Sequence, residues 1–424
     1  MRSTIFTRSL TSGAAILMLA SAFALTSCNK DPETPEPVEF LITPQNREIS
    51  FTAAYPESCT YEISTNAQSW KAESDAEWLT IDTSSSRLII SARPNLSFEE
   101  RSGATVTITA DDSTMFQITA TQAPLQVYTG GSEANAAAYW FNNEKHIMTE
   151  TGGNTINGIH VTKDGTVHLT GTTYGMNSLG FYWSNSSGTV YTNRVDRGSG
   201  SAFDVFVDEE NSDIYFTTHE GWSNSDGTQT YQAALWTNME PKDEPESMSA
   251  GDIYVEDGKV YVMYDGYYKI NDEKTELEII GDGNYPSCMT VHNGDVYVGG
   301  YYLNTDRFCP AYWINGKAYP IPTDINSQIY SISVDSNGDV YLGGSEGPGL
   351  DRRAAYWKNG EMTAITEYAN ACIGEIFVLD GETVIIYFEQ NEAGNTTVKC
   401  SLNGEITDIS DGSAPSYAQC GFII

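Results

Sequence analysis

The chain has 424 residues and a formal net charge of −35. That is longer than one ordinary domain needs, and so acidic a surface excludes nucleic acid and sulfated glycans as partners unless a local basic patch intervenes. Twenty-six tyrosines, eight tryptophans and 37 glycines point to an all-β protein.

The first 28 residues read as an export signal. Arg2 and Arg8 make a basic start, and the apolar run after them is too short to span a bilayer with ease. The run ends Leu25-Thr26-Ser27-Cys28, which resembles a bacterial lipobox: small residues before a cysteine that is acylated and becomes the new N-terminus. The resemblance implies a palmitate-bearing lipoprotein with Cys28 as its lipidation site, held in the membrane by its acyl chains alone. The plainer alternative is secretion with an incidental Cys28. Residues 29–37 carry Pro32, Pro35 and Pro37 among acidic residues, which suits an extended tether and not a packed element. Lys30-Asp31 and the nearby glutamates resemble the export signal of surface lipoproteins from Bacteroides-like bacteria. This implies an outer-membrane, surface-exposed location, with a periplasm-facing anchor as the alternative.

Residues 38–124 alternate polar and apolar side chains over short runs separated by turn residues, the pattern of a small β-sandwich. Six runs are evident, from "EISFTAAY" to "FQITATQ", and Trp70 and Trp78 are expected to meet in the core. Trp70, the Glu77-Trp78-Leu79 run, Asn95, Arg101, the strand at 105–108 and Gln122 resemble the BACON domain, an immunoglobulin-like module of Bacteroidetes. The resemblance implies carbohydrate binding by association. Because both tryptophans read as core, this module is expected to act as a spacer.

Residues 126–424 repeat. Strands like "VYLGG" begin at Val127, Val167, Ile214, Val260, Val296, Val340 and Val384, with spacings of 40, 47, 46, 36, 44 and 44. Most are followed by an aromatic pair such as Tyr312-Trp313 and then by Asn-Gly or its equivalent. A period of about 40–50 residues with four strands per unit predicts a β-propeller. The first strand of each unit has apolar second and fourth positions ("GIHV", "DVFV", "DIYV", "EIFV"). No such strand precedes Val127, and the C-terminal "GFII" fits the template. The expected fold is therefore a seven-bladed β-propeller whose ring is closed by the C-terminal strand.

The recurring aromatics and the Asp/Asn/Gly turns occupy template positions, so they read as packing and hairpin chemistry. No turn has the full calcium ligand series, so neither metal nor cofactor is expected. Function is expected in the long connections at 172–180, 218–232, 239–251, 281–287 and 301–309, which share one face. Trp222, Tyr285, Tyr301, Tyr302 and Phe308 break the repeat there and suit stacking on a sugar ring. A second constellation is Asp204, Asp252 and Glu375, which share one template position held elsewhere by Gly158, Cys288 and Ser331. Close carboxylates could serve as acid and base, but a solvated acidic channel is the favoured reading. No Ser-His-Asp pattern, histidine cluster or Cys-x-x-Cys pair appears, and Cys372–Cys420 is the one pair whose bridging the strand geometry allows. The sequence thus points to a binding protein for a glycan or other neutral ligand. The alternatives are a propeller glycoside hydrolase or polysaccharide lyase, and a scaffold within an outer-membrane protein complex.

Overall fold

The computed structural model describes residues 37–148, 153–174, 178–191 and 199–424. The lipobox with Cys28, and the tether up to Glu36, lie outside the described residues. All regular structure among the described residues is β, with 36 strands in nine four-stranded sheets.

Two sheets form the N-terminal unit. One runs Phe40–Thr43, Cys59–Thr65, Arg87–Ala92, Leu79–Thr83; the other runs Glu48–Phe51, Ser113–Gln122, Arg101–Ala110, Trp70–Ser74. Their alternating apolar residues share one cluster around Leu88, Ile90, Val106, Ile108 and Ile118. Strands Phe40–Thr43 and Cys59–Thr65 were not expected. The second offers the core only Tyr61 and Ile63 as fully buried side chains, too sparse a signal to read. Both tryptophans flank this cluster, but the ring that meets Trp78 edge-on is Phe51, at 6.3 Å.

Asn95, Arg101 and Gln122 act as ties. The buried Asn95 amide donates to the carbonyls of Glu99 and Ala123, and Gln122 donates to those of Thr52 and Arg93 while accepting from Arg101. With the Asn95 N–H, which donates to the Ala53 carbonyl, these bonds fix the segment after Phe51.

Seven further sheets follow in a propeller-like arrangement. Each is an antiparallel meander. The innermost strands of the second to seventh sheets are Asn154–Val161, Ser199–Asp208, Ala250–Glu256, Gly283–His292, Ser327–Val334 and Cys372–Leu379. The first sheet takes its innermost strand from the C-terminus: Ser416–Ile423 pairs with Val127–Glu133, with Ile423 opposite Val127. The backbone ladders leave the sheets separate; packing joins them. Consecutive innermost strands touch, and Ser416–Ile423 touches both Cys372–Leu379 and Asn154–Val161. The apolar clusters are correspondingly shared between neighbours, as where Cys288 and Tyr297 of the fifth sheet pack with Ile332, Leu342 and Trp357 of the sixth. Trp140 and Trp313 are wholly buried, so these repeat aromatics are packing.

Two sequence signatures acquire physical reasons. In the Asn-Gly turns both residues have positive φ, for example Asn315 (51°) and Gly316 (83°), as a tight hairpin requires. The same asparagine also accepts the first N–H of its sheet's second strand: Asn315 from Val296 at 3.0 Å, Asn359 from Val340 at 2.9 Å. The paired glycines of "VYxGG" sit where the innermost strand bulges toward them. A Cβ at Gly344 would lie 1.9 Å from the carbonyl oxygen of Gln328, and one at Gly300 2.3 Å from that of Tyr285.

The long connections are largely strand. Asp213–Ser223 and Gln229–Thr237 carry the third sheet's hairpin through Trp222, and Asp295–Asn304 pairs with Arg307–Ile314 through Tyr301 and Tyr302. Segment 239–251 contains the outer strand Glu240–Glu244, and residues 283–287 belong to the fifth innermost strand. Part of 172–180 lies outside the described residues. Trp222, Tyr285, Tyr301, Tyr302 and Phe308, expected in loops, therefore stand on paired strands of the sheets. The six described cysteines, Cys372 and Cys420 among them, are free thiols.

Candidate functional site

A cavity of about 880 Å³ runs along the axis enclosed by the seven innermost strands. Its walls follow from a repeated irregularity. Each innermost strand has a bulge at one template position, for instance between Ile156 and Gly158, Ile329 and Ser331, and Ala418 and Cys420. A bulge breaks the ladder and leaves backbone groups to be satisfied otherwise.

The three template carboxylates supply part of that satisfaction. Asp204 accepts the N–H of Ile253 at 3.0 Å and that of Val205 at 2.8 Å, and Asp252 accepts the N–H of Met289 at 2.7 Å. In the sixth sheet Ser331 plays the same part, accepting from Ile376 at 3.1 Å while its hydroxyl donates to Glu375. Glu375 in turn accepts from the backbone of Gly421. Each side chain reaches from its own strand to the next. The carboxylates thus act as clasps between neighbouring sheets, a role that spacing alone did not reveal.

They are also charged groups in a confined space. All three line the cavity. Burial is the main influence on all three. It raises Asp204 to about 6 against the two N–H bonds that oppose it, and Glu375 to about 7. Asp252 is raised well above the usual range by burial and then by the negative charge of Asp204. Three other buried carboxylates have cations: Glu133 meets Lys145 at 2.5 Å, Glu346 meets Arg353 at 2.5 Å, and Glu244 meets Lys269. None of the channel trio has a cationic side-chain partner among the described residues.

Two residues further along the same strands stands an aromatic tier. Phe422, His160, Phe206 and Tyr254 form a continuous arc, with ring centroids 4.8, 4.9 and 5.4 Å apart. Burial lowers His160 to about 3, helped by His168, so its imidazole is neutral. Beyond this tier the N-terminal unit closes the tight-turn end. Ala53 and Ala54 bury fully in a cluster with Val127, Leu379 and Ile423, and Glu57 meets Lys163 at 3.2 Å. Between them, Tyr55 points into the channel. Its surface is 60% exposed, yet the protein packed around its hydroxyl, then Tyr254 and Glu375, push that group far above the ordinary range.

At the opposite mouth stand Tyr330 and Arg352, whose Nε is buried without a partner. Beside them lies an aromatic group on the fifth sheet. Tyr285 stacks on Tyr301 at 5.3 Å and 12°, and Phe308 stands edge-on to both at 5.8 and 5.2 Å. Tyr285 is 43% exposed. Gln328 links this group to the channel, accepting from Tyr330 at 3.1 Å and bonding the Tyr301 hydroxyl. Of the expected aromatics, the structure thus brings Tyr285, Tyr301 and Phe308 together. Tyr302 is not with them: adjacent strand residues face opposite ways, and Tyr302 is buried in the core with Cys309 and Trp313. Trp222 is half-buried on the third sheet, opposite Thr230. Tyr55, Tyr330 and Arg352 were missed. The aromatic tier was legible, because one template position carries a ring in five of seven sheets.

A family model, BACON, described as "Putative binding domain, N-terminal", matches residues 68–123. A search of curated proteins finds no match. Among solved structures the chain is similar to a structural genomics protein of unknown function from Bacteroides thetaiotaomicron VPI-5482, at 12% identity over 84% of this chain and 96% of that one, TM-score 0.35. It is also similar to the β-propeller domain of the Trilobed protease from Pyrococcus furiosus, at 10% identity over 80% and 100%, TM-score 0.41. A third is a Mycobacterium tuberculosis puromycin-hydrolyzing peptidase, at 7% identity over 78% and 53%, TM-score 0.42. The chain spans about half of that peptidase, and at these scores none of the three bears on function.

Proposed function

We propose that this is a glycan-binding lipoprotein, anchored at the outer membrane through Cys28, whose seven sheets are the blades of a closed propeller with a BACON-like sandwich against its tight-turn face. The observation that carries the binding reading is the platform of Tyr285, Tyr301 and Phe308 at the channel mouth. These rings depart from the repeat, so the blade template does not require them, and the exposed face of Tyr285 offers an apolar plane to the C–H face of a sugar. Arg352 and Gln328 beside it can bond hydroxyl groups.

The alternative is hydrolysis or elimination by Asp204, Asp252 and Glu375. It is disfavoured because each carboxylate already accepts a backbone N–H of the neighbouring strand, a structural task that catalysis would have to interrupt. A glycan array probed with the protein lacking residues 1–28 tests the reading. Retention of neutral glycans supports it, and retention of none contradicts it.

A further inference from the structure

The channel interior, apart from the platform, has chemistry of its own. Three carboxylates line one cavity without a cationic side-chain partner among the described residues, whereas Glu133, Glu244 and Glu346, also buried, each have one. About 6.6 Å further along the strands, two residues of rise, aromatic rings form an arc. Carboxylates above a wall of π faces make an environment suited to an organic cation, which the carboxylates attract by charge and hydrogen bonding and the ring faces by their quadrupoles. The channel's other features suit a small guest. Its volume of about 880 Å³ falls within the range of small-molecule sites. Tyr55 stands at the far end. His160, 8% exposed, lines the cavity, and its ring nitrogens have no hydrogen-bond partner among the described residues.

We infer that the channel is a blind pocket for a protonated amine, entered from the long-loop mouth, with the ammonium among Asp204, Asp252 and Glu375 and its alkyl part against Phe206, Tyr254 and Tyr55. This goes beyond the platform reading and stands without it, since no platform ring takes part. A hydroxyl or other acceptor on the trailing end of the guest would meet the Arg352 side chain, which lines the cavity.

The test is isothermal titration of the soluble protein with n-butylammonium chloride, and with n-butanol as the neutral probe of the same shape. Physiological ionic strength keeps the general acidity of the surface from mimicking a site. The expected result is saturable binding of the ammonium, with the alcohol at least tenfold weaker. Asp252→Asn with Glu375→Gln keeps the backbone acceptors but removes charge, and is expected to weaken the ammonium at least tenfold. Asp112→Asn, exposed on the N-terminal unit, is expected to change nothing. Should the amide variant not fold, Phe206→Leu keeps an apolar side chain but loses the π face, and a several-fold loss is expected. Equal binding of ammonium and alcohol, no binding of the ammonium, or parent-like affinity in the folded channel variants would overturn the inference. Retained ammonium binding after loss of the platform rings would separate this site from the glycan reading.

Discussion

Replacing Glu375 by glutamine should stabilise the protein at neutral and alkaline pH, and the sign follows from the channel. The carboxyl sits at about 7 in the fold against an ordinary value near 4.5, chiefly through burial. Between those values the native state holds a proton that the unfolded chain has lost, so wild-type stability falls as the pH rises through that window and levels off above it. The full cost is on the order of 3 kcal/mol, less whatever channel water screens. Glutamine resembles the protonated side chain in shape and can still accept from Gly421, but it has no charge to bury. Urea denaturation of wild type and Glu375→Gln at a series of pH values between about 4 and 9 measures the difference. The two should be close in stability near pH 4.5 and diverge by a few kcal/mol in favour of the variant by pH 8. Parallel curves, or a variant less stable throughout, would show that Glu375 is ionised without penalty or held by a cation.

Other consequences are as direct. Deleting residues 416–424 removes the first sheet's innermost strand and the buried Ala418, Cys420 and Ile423, so calorimetry should show loss of the cooperative transition of the repeat region; melting like the full chain would contradict ring closure. Thiol titration of the unfolded, unreduced soluble protein should find all six cysteines of the described residues reactive, and mass spectrometry should show no bridge between Cys372 and Cys420. Metabolic labelling with a palmitate analogue should mark the full-length protein in a bacterial host and fail to mark Cys28→Ala; equal labelling would place the lipid elsewhere.

The architecture was legible because it repeats. Apolar residues at alternate inner positions recur at spacings of 36 to 47 residues, paired glycines and Asn-Gly turns mark several of the units, and each recurrence corrects for noise in the others. The missing strand before Val127 could be found at the C-terminus for the same reason. The site was less legible because its decisive features are long-range. Nothing local in Asp252 shows that its carboxylate will clasp Met289, 37 residues on in the next sheet. Tyr301 and Tyr302 look alike as a pair, and only the strand that runs through them sends one to the platform and the other to the core. Tyr55 belongs to the N-terminal unit, and no pattern in its own sequence says that it ends in another unit's channel. The aromatic tier was within reach, but attention to the apolar second and fourth positions passed over the ring between them.

The most direct test of the glycan reading is calorimetric titration of the best neutral glycan against wild type and Tyr285→Ala/Tyr301→Ala. Stacking on an aromatic is worth about 1–3 kcal/mol for a nucleobase, and a less polarizable sugar should fall at the low end. Loss of the platform should then weaken binding by roughly fivefold at an unchanged melting temperature. A double variant that binds as tightly as wild type would contradict the platform and with it the central claim.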